Sequence, residues 1–137
     1  MLTEKQVLSM SESDYMNDAQ LEYFKDQLEK EMKIIHDKRI FLIDQHESNL
    51  ENNKSADTID QQAIEDDCRM AASETQRVEN KAKLIKHALE KIKNGEYGYC
   101  EETGDEIGLR RLMFDPTIKL SFLAQEEKEK KEKHYAR

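Results

Sequence analysis

The chain has 137 residues, 36% hydrophobic and 38% charged, with a mean hydropathy of −0.96, which excludes a large globular core and leaves one domain, or a compact piece with an extended arm. A net charge of −8 weighs against binding to a nucleic-acid duplex, whose affinity comes largely from cations neutralising phosphates, and favours a protein partner with a basic channel or patch. Four Gly and one Pro are too few for a linker, so long helices with solvated charged faces fit the composition better than disorder.

Residues 1–17 are polar, without a sustained period, and are expected to form a flexible N-terminal segment. Asn17 or Asp18 can cap a first helix running from Asp18 to about Asn49, in which Leu21, Leu28, Ile35 and Leu42 repeat every seven residues and Phe24 and Met32 fill the intervening turns. Four consecutive apolar residues, Ile40 to Ile43, cannot all face one seam. They form either an extra-wide apolar stripe or a contact with something else. Ser48 to Ser55 loses the period and reads as the approach to a tip.

Asp57 or Thr58 can cap a second helix that runs to about Asn94, where Asn94-Gly95 supplies the stop. Its small and apolar residues, Ile64, Cys68, Ala71, Thr75, Val78, Ala82, Ile85, Leu89 and Ile92, step by four and three. Such a seam, about 42 Å long at 1.5 Å per residue, requires a partner helix. The expected architecture is therefore mainly α: an antiparallel coiled-coil hairpin over residues 18–94 with its tip near 53–63. That tip is acidic, carrying Asp57, Asp60, Glu65, Asp66 and Asp67 with no Lys or Arg between Ser55 and Cys68. On composition alone the two aspartates read as helix-capping or loop carboxylates on a solvated tip before they read as functional carboxylates.

All four glycines and the proline fall between Gly95 and Pro116, so residues 95–137 hold the tight turns. Tyr97, Tyr99, Ile107, Leu109, Leu112, Met113 and Phe114 supply a miniature core, followed by a charge-balanced helix from roughly Ile118 to Lys133. Two cysteines, one on the seam and one in a turn, and no apolar run near ~20 residues point to a reduced, cytoplasmic, non-membrane protein without a disulfide. No Gly-rich phosphate loop or nucleophile–His pairing suggests an enzyme.

The segment Gly98-Tyr-Cys-Glu-Glu-Thr-Gly-Asp-Glu-Ile-Gly-Leu-Arg-Arg-Leu112, followed by Asp115-Pro-Thr117, resembles the DksA/TraR family of bacterial transcription factors. The likeness extends to Tyr15-Met-Asn-Asp-Ala-Gln-Leu21 and to Asp57-Thr-Ile-Asp60, with Gln62 where the family's tip carries alanine. The resemblance implies a zinc ribbon with two Cys-x2-Cys pairs, yet the four matching positions here are Cys100, Thr103, Ser121 and Ala124. One thiolate cannot assemble the four N or S donors of a structural zinc. The head is therefore expected to be a degenerate ribbon, metal-free, packed by those side chains, as in zinc-independent members of the family.

The family's mode of action implies insertion of the hairpin into the secondary channel of RNA polymerase as a monomer, without sequence-specific DNA contact. Initiation at rRNA and amino-acid promoters would be modulated in the stringent response. Asp57 and Asp60 match the tip residues that act near the polymerase active centre, and Arg77 matches a channel-rim contact. The alarmone ppGpp is implied as a co-effector at the polymerase interface, but the basic positions that would approach it are Leu84, Asp115 and Gln125 here. Weakened synergy follows, with Lys81 or Arg110 as candidates to compensate. Two other classes remain open: a Gre-type transcript-cleavage or anti-backtracking factor, and a coiled-coil adaptor unrelated to transcription.

Overall fold

The structure is a computed structural model that describes residues 2–52 and 61–135. The expected tip aspartates, Asp57 and Asp60, lie outside the described residues. The helices are α1 (Glu4–Leu8), α2 (Asp18–Asn52), α3 (Gln61–Asn94), α4 (Leu109–Phe114) and α5 (Phe122–Tyr135), with a 3-10 turn at Glu12–Asp14. Among the described residues β structure is limited to an antiparallel bridge between Tyr99 and Glu106. The chain divides into two compact units, Met1–Glu29 with Ile85–Arg137, and Lys30–Leu84. The boundaries between these units fall within α2 and α3, because the first turns of α2 and the last turns of α3 carry apolar residues of the first unit's core.

In the second unit α2 and α3 run antiparallel, cross-linked by ion pairs between Glu31 and Lys81 (4.0 Å), Lys38 and Glu74 (3.3 Å), and Arg39 and Glu79. Leu42, Val78 and Ala82 are buried there. Toward the tip the expected seam does not continue. Cys68 is exposed, not an interior seam residue, and Thr75 is exposed as well. The physical reason lies on α2: the heptad position after Leu42 is the polar Asn49, so α2 supplies no apolar residue at the next seam position. Of the Ile40–Ile43 cluster only Leu42 is buried; Phe41 is 63% exposed.

The first unit is built around Phe24, Leu28, Ile85 and Leu112, all fully buried. Asn17 caps α2, its Oδ1 accepting from the Gln20 N–H at 2.9 Å. The Gln20 side chain, itself fully buried, accepts from the Met16 N–H at 2.8 Å. Within the segment expected to be flexible, residues 2–17 carry local structure. Thr3 and Gln6 form a reciprocal capping box, α1 packs on α4, and Val7 is completely buried. One apolar anchor and a satisfied N-terminus suffice to hold a short helix whose sequence has no period.

Tyr15 ties this segment to the turn region. Its hydroxyl donates to the Gly98 carbonyl at 2.5 Å and accepts from the Gly108 N–H at 2.9 Å. Burial, aided by nearby Glu106 and outweighing those backbone contacts, raises its pKa above the usual phenol value. Gly98 adopts φ +93°, and a Cβ there would come within 2.6 Å of Met16 Cγ, so both backbone and space require glycine. The last helix begins at Phe122, not Ile118. The Lys119 carbonyl accepts from the Glu101 N–H (2.9 Å) and the Leu120 carbonyl from Arg111 Nε (3.2 Å), which commits these residues to bracing the turns.

Two substitutions test this packing by chemical denaturation. Ile85→Ala should cost about 2–5 kcal/mol, against less than about 0.5 kcal/mol for exposed Phe41→Ala. Tyr15→Phe, which strands two backbone groups, should cost about 1–3 kcal/mol.

Candidate functional site

The turn between α3 and α4 folds back on itself through short backbone bonds. Cys100 N–H donates to the Asp105 carbonyl (2.7 Å), Gly104 N–H to the Cys100 carbonyl (2.9 Å), and Ile107 N–H to the Gly98 carbonyl (2.9 Å). The start of α5 packs against it, with Ser121 Oγ capping the helix by accepting from the Ala124 N–H at 3.2 Å. This brings the four expected ribbon positions to one place. Cys100 is 4% exposed and clusters with Leu120 and Ala124, which is 2% exposed. Thr103 and Ser121 both lie within hydrogen-bonding reach of the Cys100 sulfur.

Burial works to raise the Cys100 thiol pKa, but hydrogen bonds from the Thr103 and Ser121 side chains and backbone amides outweigh it and bring the thiol down to about 6. These donors favour the thiolate form of the sulfur. A zinc ion does not fit this set. It would find one thiolate, two hydroxyls and a methyl group where four N or S donors are required. Among the described residues no group of three or more His, Cys, Asp or Glu could hold a metal.

Beside Cys100 lies a cluster that sequence reasoning did not single out. His87 and Lys91 on α3 both reach Glu101, His87 through a hydrogen bond and Lys91 at 3.5 Å. Lys91 is only 8% exposed and also approaches the Tyr99 carbonyl at 3.4 Å. Burial works to raise Glu101, but His87 and Lys91 lower it below the usual carboxylate range. Together with Cys100 these side chains line an open cavity of about 480 Å³. The available signal was the spacing of His87 and Lys91 by four on one helix face.

Of the other expected positions, Arg77 is exposed in the second unit and lines an interhelical cleft. Leu84 is partly exposed. Asp115 accepts from the Thr117 N–H (3.0 Å) and hydroxyl (2.7 Å), so its carboxylate caps a turn. Gln125 donates to Glu129 at 3.2 Å. Lys81 already pairs with Glu31, while Arg110 is exposed.

A folded-state thiol pKa of about 6, against roughly 8.5 for a free thiol, means the unfolded chain binds more protons between those values. The Cys100 contribution to stability should therefore be present above the unfolded value and be lost as pH falls through about 6. Urea unfolding across that window should show a rising stability that Cys100→Ala flattens; an equal slope in both proteins would contradict the thiolate.

Residues 95–130 match the family described as prokaryotic dksA/traR C4-type zinc finger. The chain is 37% identical to the RNA polymerase-binding transcription factor DksA of Caulobacter vibrioides, over 96% of this chain and 92% of that one. It is 31% identical to the protein of the same name from Escherichia coli K12, over 78% and 70%. The structure is similar to that of transcription factor DksA2 from Pseudomonas aeruginosa, with a TM-score of 0.85, 30% identity, and coverage of 96% of this chain and 100% of the other. With a hairpin of two long helices, a turn-rich head built on the Cys100 motif and likeness along nearly its whole length, this chain belongs to the DksA/TraR family.

Proposed function

We propose that this chain is a non-enzymatic transcription regulator that binds RNA polymerase through the secondary channel and modulates initiation without zinc. The observation that carries this reading is 37% identity across 96% of the chain to a protein named for binding RNA polymerase. Charge supports it. Over residues 43–52 and 61–76, which approach the tip from both sides, seven acids (Asp44, Glu47, Glu51, Glu65, Asp66, Asp67 and Glu74) face a single base, Arg69. Such an arm suits a basic channel and repels nucleic acid.

Within this reading Asp57 and Asp60 act near the polymerase active centre and Arg77 touches the channel rim. A bias of about 1.4 kcal/mol placed on the dissociation barrier changes the lifetime of a promoter complex tenfold, so two carboxylates are enough to matter. The ppGpp contribution is weak, since Leu84 and Gln125 are neutral and Asp115 is an acid already committed to its turn. The protein acts as a cytoplasmic monomer, and no helix among the described residues is long and apolar enough to cross a membrane.

The test is the lifetime of a stable-RNA promoter complex with purified polymerase. The wild-type chain should shorten it, ppGpp should add little, and Asp60→Asn should bind polymerase as tightly while losing the effect. Absence of polymerase binding would overturn the proposal. Stimulated cleavage of RNA in a stalled elongation complex, with no effect on initiation, would move the assignment to a Gre-type factor.

A further inference from the structure

In the second unit Arg39 Nε lies 2.7 Å from Glu79 Oε1 and Arg39 Nη2 lies 2.8 Å from Glu79 Oε2. Two parallel N–H···O bonds from a planar guanidinium fix distance and rotation together, which a lysine ammonium cannot do. The Lys38–Glu74 and Lys81–Glu31 pairs are recorded at 3.3 and 4.0 Å. The hydrogen bond from Arg39 and its charge, working against some loss of hydration, hold Glu79 below the usual carboxylate range.

The position of this fork is what gives it meaning. Ala82, on the inner side of the pair, is buried, and the last buried residues toward the tip, Leu42 and Val78, lie within one helical turn on its outer side. On its outer side no described residue from Ile43 to Asn52 or from Gln61 to Arg77 is buried. A cleft of about 1110 Å³ opens between the two helices, lined by residues including Leu42, His46, Asn49, Cys68 and Ala71, and by Arg39 and Glu79 themselves. Apolar contact therefore does not set the spacing of the helices beyond Leu42 and Val78. A directional bond within one helical turn of that point can.

We propose that Arg39 and Glu79 are a positioning pair that fixes the separation of α2 and α3 where the apolar seam ends, and that the regulatory effect on polymerase depends on that separation. The second half rests on the function proposed above; the first does not.

The experiment has one readout for each half. Spin labels on Cys68 and on Asn49→Cys, both lining the cleft, would be placed in a Cys100→Ser background. In the free protein, well below its melting temperature, their distance distribution should be narrow. Arg39→Ala and Arg39→Lys should both broaden and lengthen it, and Arg39→Glu combined with Glu79→Arg should restore it. In the promoter assay Arg39→Ala should keep polymerase affinity within about twofold yet lose most of the effect on complex lifetime, with recovery in the exchanged pair. An unchanged distribution in Arg39→Ala, or a lower melting temperature without a distance change, would reduce the pair to a stabilising contact and overturn the proposal. Widened distances with full regulatory activity would overturn its second half. Failure of the wild-type chain to bind polymerase would instead remove the function reading and leave the distance result to judge the pair.

Discussion

Two helices close on one another only as far as both supply apolar side chains to the seam, and in this chain that match ends before the tip does. Leu28, Ile35 and Leu42 keep the heptad on α2, and the next position is Asn49. On α3 the sequence of small residues continues past Val78 through Thr75, Ala71 and Cys68, but small side chains facing a polar strand bury little. The second unit therefore has a closed inner part and an open outer one. The Arg39–Glu79 fork stands within one helical turn of the change, on its closed side. An arm with an acidic, weakly packed outer part differs physically from a uniformly zipped rod, since ion-pair geometry and not core packing governs its spacing.

The head solves a different problem with similar means. A ribbon of tight turns is too small to hold itself by apolar burial alone, and the matching family is described as a C4-type zinc finger. Here the equivalent positions carry one sulfur, two hydroxyls and a methyl, and the hydroxyls and nearby amides turn toward the sulfur. Around that centre Tyr15, Tyr97 and Arg111 each bond backbone carbonyls of the turns. The segment before α2 contributes through Val7 and Tyr15, so the N-terminus is part of the head's stability.

Much of this was visible in the sequence, and the misses have physical causes. The long helices, their stop at Asn94 and the location of the tight turns follow from period and from Gly and Pro placement. The convergence of Cys100, Thr103, Ser121 and Ala124 followed from the family motif; composition alone would not have found it. The heptad of α3 alone puts Cys68 inside, whereas Asn49 on α2 gives it no apolar partner at that position and it is exposed. The N-terminal helix was missed because α1 owes its order to one buried valine and a capping box, neither of which produces a periodic signal. The late start of α5 was missed because the Lys119 and Leu120 carbonyls have tertiary partners, and local propensity does not register those. The buried Lys91 with His87 and Glu101 was invisible for the same reason: its meaning depends on a turn brought back onto the helix.

Under the proposed function the head keeps its shape, and the chain engages polymerase, with no metal bound. The most direct measurement is the affinity of RNA polymerase for this protein after exhaustive treatment with a zinc chelator, compared with the untreated protein and with a sample given zinc. Equal affinity in all three is the predicted result. Binding that disappears on chelation and returns with zinc would contradict it.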